Sequence, residues 1–218
     1  MTPDLLAAGI FVSAIAVGAV GVGLSIWSER KRREALRRMA AERGFEFLED
    51  CGCPPSAGGI QLLRRGHSLR YRNLMHGDWN GSPFEAYDYQ YTVGSGKSSH
   101  TYRQTVAAFR RPEACIPAFE LRKEHLGDKL LGLIGMEDID FEENPAFSKK
   151  YHLSGQDVQA VRMLFTPNVL AWFAERPGWD VAGGGAWVVF MHHGRRKEPK
   201  EYWAFLEAAQ YGFAFFGT

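Results

Sequence analysis

The chain has 218 residues, 45% of them hydrophobic and 13% aromatic, which excludes a disordered chain and leaves room for one domain with a real core. Three cysteines, Cys51, Cys53 and Cys115, are an odd number and too few for a secreted disulfide scaffold. The net charge of +1 hides an asymmetry: residues 28–43 hold seven basic and three acidic side chains, while the chain from Gly44 onward sums to −2, which argues against a nucleic-acid-binding face.

The first predicted element runs from Leu5 to Trp27 and contains no charged residue. Twenty-three residues at 1.5 Å each reach about 34 Å, enough to cross a hydrocarbon core of about 30 Å. A cleaved signal peptide would carry its basic residues before the apolar run, and here they follow it. The charge order therefore predicts a retained single span with its N-terminus outside and the rest of the chain in the cytoplasm, at the inner membrane. Ala7, Ala14, Gly18, Gly21 and Ser25 form a small-residue stripe suited to pairing with another membrane protein or a second copy.

Residues 28–43 continue as a basic juxtamembrane helix, because Ala, Leu, Met, Glu and Arg favour helix and Gly44 can end it. Arg30, Lys31, Arg32, Arg33, Arg37 and Arg38 are the expected contacts with anionic lipid. The domain organisation is thus 1–27 anchor, 28–43 stem, and 44–218 one globular α+β domain.

Within that domain, Phe45–Glu49 alternates as a strand and Cys51–Gly59 reads as loop. Runs at 69–79, 84–93 and 100–109, broken by Asn80–Pro83 and Gly94–Ser99, predict an antiparallel β-meander. Period-two alternation puts Tyr87, Tyr89, Tyr91 and Val93 on one face, and Asp88, Gln90 and Thr92 on the other. Further on, a strand at 118–122, a helix at 124–134, an acidic connection at 136–144 and a strand at 151–153 are expected. Ser154–Asp157 opens a helix to about Phe165, and Thr166-Pro167 opens another to about Glu175. Strands at 179–181 and 186–192 flank Gly183–Gly185, and a helix at 200–211 closes the domain. The fold class is therefore α+β, an antiparallel meander packed with several short helices behind one N-terminal transmembrane helix.

The motifs that suggest chemistry do not complete themselves. Gly94-Ser95-Gly96-Lys97-Ser98 lacks the leading glycine of a phosphate loop and joins two strands, so it reads as a hairpin turn. The acidic 138–142 run lacks the glycine and terminal carboxylate of a calcium loop. Cys51-x-Cys53 is too short a spacing for a zinc pair and has no second pair; Cys115 reads as a buried small hydrophobe. His192 and His193 on a strand point to opposite faces and cannot share a metal. No metal or cofactor is expected, and the balance leans away from an enzyme. A hydrolase would need a site assembled only in the fold, with Asp88, His100, His76 and Asp138 as the available groups. The row Tyr87, Tyr89 and Tyr91, with Tyr102 across the turn, is either the half-buried face of a sheet or a ligand groove for lipid.

Two stretches carry a resemblance. Pro145-Ala146-Phe147, Tyr151, Leu153 and Val161-Arg162-Met163-Leu164-Phe165-Thr166-Pro167, with the hairpin Tyr87–Thr92 and Gln104-Thr105-Val106, resemble a bacterial family of membrane-associated proteins of unknown function. The resemblance implies a membrane-anchored domain and no activity. The reading as a whole is a cytoplasmic interaction or regulatory domain tethered to the lipid bilayer, with a tethered hydrolase and a lipid-binding module as alternatives.

Overall fold

The computed structural model describes residues 3–123 and 136–216, with side chains from residue 20 onward. The helix expected at 124–134 lies outside the described residues.

Helix α1 runs unbroken from Pro3 to Glu42. The expected anchor and stem are thus one element. Most of the expected span lies where side chains are not described, and among the described residues no helix is long and apolar enough to cross a membrane. Val20, Val22, Leu24, Ile26 and Trp27 are 50–62% exposed. One turn further on the helix changes character: Arg32, Leu36 and Ala40, spaced by four and so stacked on one face, are buried. Gly44, at φ 73°, turns the chain out of the helix. Arg32, Leu36 and Ala40 are therefore part of the core, which reaches N-terminal of the Gly44 start expected for the globular unit.

Among the described residues nine strands form one antiparallel sheet: β1 (Glu46–Asp50), β2 (His67–Trp79), β3 (Ser82–Val93), β4 (His100–Arg110), β5 (Ile116–Lys123), β6 (Glu137–Asp138), β7 (Tyr151–Gly155), β8 (Asp180–Gly185) and β9 (Trp187–Met191). Their order is β1-β2-β3-β4-β9-β8-β5-β7-β6. The expected meander of three runs is found as β2, β3 and β4, with β1 paired at its edge; beyond it the β8–β9 hairpin inserts between β4 and β5. Gly183 and Gly184 lie within β8 rather than between two strands. Gly183 is there because a Cβ would sit 2.3 Å from the Phe119 ring. Ser154 and Gly155 likewise belong to β7, so helix α4 (Val158–Leu164) starts later than expected, capped by Asp157.

Each face of the sheet has its own core. Phe84, Ala86, Ala107 and Phe109 pack under α1 and the closing helix α6 (Pro199–Ala214). Helix α6 is held at its start by a capping box between Glu198 and Glu201, with Pro199 at its first position. It buries Tyr202, Phe205, Leu206, Ala209 and Phe213 at helical spacing. Helices α3 (Pro145–Ser148) and α5 (Pro167–Glu175) extend this layer over β5 and β7, around Phe147, Phe165 and Phe173. On the other face Tyr87, Tyr89, Val106 and Val189 pack under the segment that follows β1. That segment, expected as loop, contains the short helix α2 (Pro55–Gly58), and its Ala57, Ile60 and Leu63 are buried. Cys115, expected to be buried, is exposed.

Candidate functional site at the stem of α1

The polar residues of the site come from the face that α1 crosses. In β3, period-two alternation turns Asp88 and Gln90 toward α1, on the side opposite the tyrosines. Asp88 lies beside Arg72 on β2 and Thr105 on β4; Gln90 lies beside Arg70 and Arg103 in the next row. The β2–β3 register shifts between Arg72 and Met75, and there Asn73 adopts φ 54°, a left-handed conformation that asparagine tolerates. The bulge brings the Asn73 amide to the carboxylate: its Nδ2 donates to Asp88 Oδ2 at 2.9 Å.

Asp88 is the centre of a buried network. Arg32 grips it with two bonds, Nε to Oδ2 at 3.0 Å and Nη2 to Oδ1 at 2.8 Å. Thr105 Oγ1 donates to Oδ1 at 3.1 Å. The third guanidinium nitrogen of Arg32, Nη1, donates to the Lys197 carbonyl at 2.6 Å, and the Lys197 amide donates to Thr105 Oγ1 at 2.9 Å. The loop before α6 is thereby tied to the same cluster. Burial alone would lower the Arg32 pKa; the Asp88 carboxylate outweighs it, and the pKa is raised. Such a forked pair uses the geometry that only arginine has.

About one turn earlier in α1, Arg196 grips Glu29 at 2.6 Å. Burial works to raise the Glu29 carboxyl, but the hydrogen bond and charge of Arg196 prevail and hold it below its ordinary value. Between this pair and the sheet opens a polar cleft of about 280 Å³, floored by Asn73, Asp88 and Gln90 and lined by Ser25, Glu29, Arg70 and Arg103. Arg103 Nε donates to Gln90 at 2.9 Å. The Asn73 carboxamide oxygen is buried and has no hydrogen-bond partner.

Of the catalytic candidates named from the sequence, Asp88 alone belongs to this site, where it pairs with Arg32. His76 stands on β2 against Glu46 of the edge strand at 3.5 Å. His100 is exposed at the start of β4, against Tyr102. Asp138 lies on β6 at the opposite edge of the sheet, 3.3 Å from His152. Among the described residues the four groups are scattered and share no cleft.

The tyrosines share one face of the sheet, as expected, and their rings stack, with Tyr89–Tyr91 at 5.3 Å and Tyr91–Tyr102 at 5.2 Å. Yet Tyr87 and Tyr89 are 0% and 1% exposed under the 55–64 segment, and Ser56 hydrogen-bonds Tyr87. The row is core, not the wall of an open groove. Of the expected lipid contacts, Arg32 is buried against Asp88, and Arg33 and Arg37 both pair with Glu49 on β1. Arg30, Lys31 and Arg38 remain exposed. Burial beside Glu85 and Asp50 pushes the Cys51 thiol up to about 11, the opposite of a reactive thiolate. Among the described residues no cluster of metal-binding groups is present.

Sequence reasoning missed Arg70, Arg103, Arg196 and Asn73. Strand alternation places Arg70 beside Arg72 on one face, but only pairing of β2, β3 and β4 beneath α1 makes a site of them.

No protein-family model matches the chain, and no curated protein matches it in sequence. Among solved structures, the crystal structure of the mycobacterial trehalose monomycolate transport factor A, TtfA, is similar. The TM-score is 0.56 at 12% identity, over 84% of this chain and 94% of that one. The likeness extends the α+β architecture to a second protein and concerns the fold alone.

Proposed function

We propose that this chain is a single-pass membrane protein whose globular domain is a cytoplasmic interaction module without chemistry of its own, held rigidly at the inner membrane surface. One observation carries the reading: α1 passes without a break from exposed apolar residues at 20–27 to a stripe buried in the core at Arg32, Leu36 and Ala40. A helix that merely tethered a domain would end before it. The uncharged run from Leu5 supplies the span, and the basic residues after it supply the orientation. The absence of a shared cleft for the titratable candidates favours binding over catalysis. The resemblance of the tyrosine hairpin and of residues 141–170 to membrane-associated proteins supports the same reading, as does the fold shared with a protein named for a transport role. The partner is another membrane protein or a second copy, met through the small-residue stripe of the span.

Alkaline carbonate extraction of membranes from expressing cells tests this. The full chain should stay in the pellet, and a chain whose Leu5–Trp27 run carries two introduced lysines should move to the supernatant. A wild-type chain released by carbonate overturns the tether. A reporter active only outside the cytoplasm, fused after Thr218, should stay silent; a strong signal reverses the orientation.

A further inference from the structure

The cleft between α1 and the Arg70–Gln90–Arg103 row has the composition of an anion site. We propose that it binds the phosphate of an anionic lipid headgroup that also carries a hydroxyl, an inference that rests on the membrane-tethered reading above.

The acids at the cleft are already neutralised. Glu29 is held by Arg196 and Asp88 by Arg32. Arg72, beside them, reaches Asp50 at 3.5 Å. Two guanidinium groups remain without a carboxylate in ion-pair contact, although the charge of Arg103 also acts on Glu29. Arg103 spends its Nε on Gln90 and keeps both terminal nitrogens for a ligand. Arg70 makes no side-chain hydrogen bond or ion pair among the described residues. The two stand two strands apart across Gln90, in one cross-strand row, and paired guanidinium forks suit a phosphate's oxygens.

The floor offers the complementary group. Asn73 is 4% exposed, and its Nδ2 is used on Asp88, which fixes the carboxamide with its oxygen unpartnered. Buried acceptors are rarely left so. A hydroxyl beside the phosphate would satisfy it, whereas a choline headgroup has none to give. About 280 Å³ holds roughly nine waters, at about 30 Å³ each, the scale of a phosphate with a short polyol.

Position agrees with chemistry. Ser25 and Glu29 bracket Trp27, the end of the uncharged run, so the mouth of the cleft lies within about 3 Å along the helix axis of the expected hydrocarbon boundary. That is headgroup depth.

Native mass spectrometry of the detergent-purified full chain, offered phosphatidylglycerol and phosphatidylcholine in equal amounts, tests the site. The wild type should retain one phosphatidylglycerol in preference to phosphatidylcholine. Arg70→Gln/Arg103→Gln should retain it at least about tenfold less, the loss expected for a single charged hydrogen bond. Both residues are exposed, so its melting temperature should match that of the wild type. Lys31→Gln/Arg38→Gln, which removes two exposed charges away from the cleft, should retain the lipid. Equal retention of both lipids, or retention unaffected by Arg70→Gln/Arg103→Gln, overturns the proposal. Saturable binding of inorganic phosphate that depends on Arg70 and Arg103, without phosphatidylglycerol preference, assigns the cleft to a soluble phosphate instead and also overturns it. Carbonate extraction separates the two readings: a firmly embedded chain with no lipid preference sinks the site alone. A released chain whose lipid retention still depends on Arg70 and Arg103 sinks the tether alone.

Discussion

Asp88 shows how much a single side chain's meaning depends on what the fold brings to it. On the strand it is one polar residue in an alternating row; in the protein it accepts four hydrogen bonds and orients the stem of α1. Removing one member of a buried pair leaves a charge without compensation, a loss of about 3–5 kcal/mol. Arg32→Ala should therefore lower stability by about that much in urea unfolding of the solubilised chain. Arg32→Met/Asp88→Leu, which removes both charges, should recover most of it. His192 gives a second expectation at this scale. Burial against Trp179 and Phe205, aided by the positive charges of Lys197 and Arg195, depresses its pKa from 6.5 to about 4. Below pH 6.5 the unfolded chain takes up a proton that the folded chain refuses, so stability falls as pH drops from about 6.5 toward 4. Melting temperatures measured over that window should decline for the wild type, and the part of the decline above pH 5 should flatten in His192→Gln.

At the scale of elements, local pattern was informative and pairing was not. Alternation located β1 to β4 and sorted the residues of β3 correctly onto two faces, because a half-buried strand writes its period into the sequence. The order β4-β9-β8-β5 is written nowhere locally: it depends on which apolar strands find each other across about 70 residues of chain. The glycines misled for the same reason. Gly183-Gly184-Gly185 has the composition of a turn, yet Gly183 is a packing residue whose missing side chain is filled by Phe119. Gly183→Ala should thus act as an overpacking mutation and cost about 1–3 kcal/mol. Gly184→Ala, whose nearest neighbour would lie 3.5 Å away, should be much milder, and unfolding midpoints of the two variants will distinguish them. The cleft was illegible because its walls come from α1, three strands and the loop before α6. Arg70 and Arg103 became a pair only through the register of β2, β3 and β4.

For the whole molecule, the consequence lies in the unbroken run of α1. Forty residues of helix reach about 60 Å, of which the last third is keyed into the sheet by Arg32, Leu36 and Ala40. Ser28→Pro should kink this helix just before the buried stripe. The domain's melting should change little, while a spin label on β3–β4 should lose its fixed orientation relative to oriented bilayers; unchanged orientation would refute a rigid stem. Rigidity of this kind alters an encounter before any contact is made. A domain on a slack tether meets a neighbour in the membrane from every angle and must give up that freedom on binding. With the span proposed above, the tumbling would be confined to rotation about the membrane normal. On that reading one edge of the sheet would sweep a single ring around the proposed anchor, and any partner whose own surface lies on that ring would be met in nearly the right pose each time.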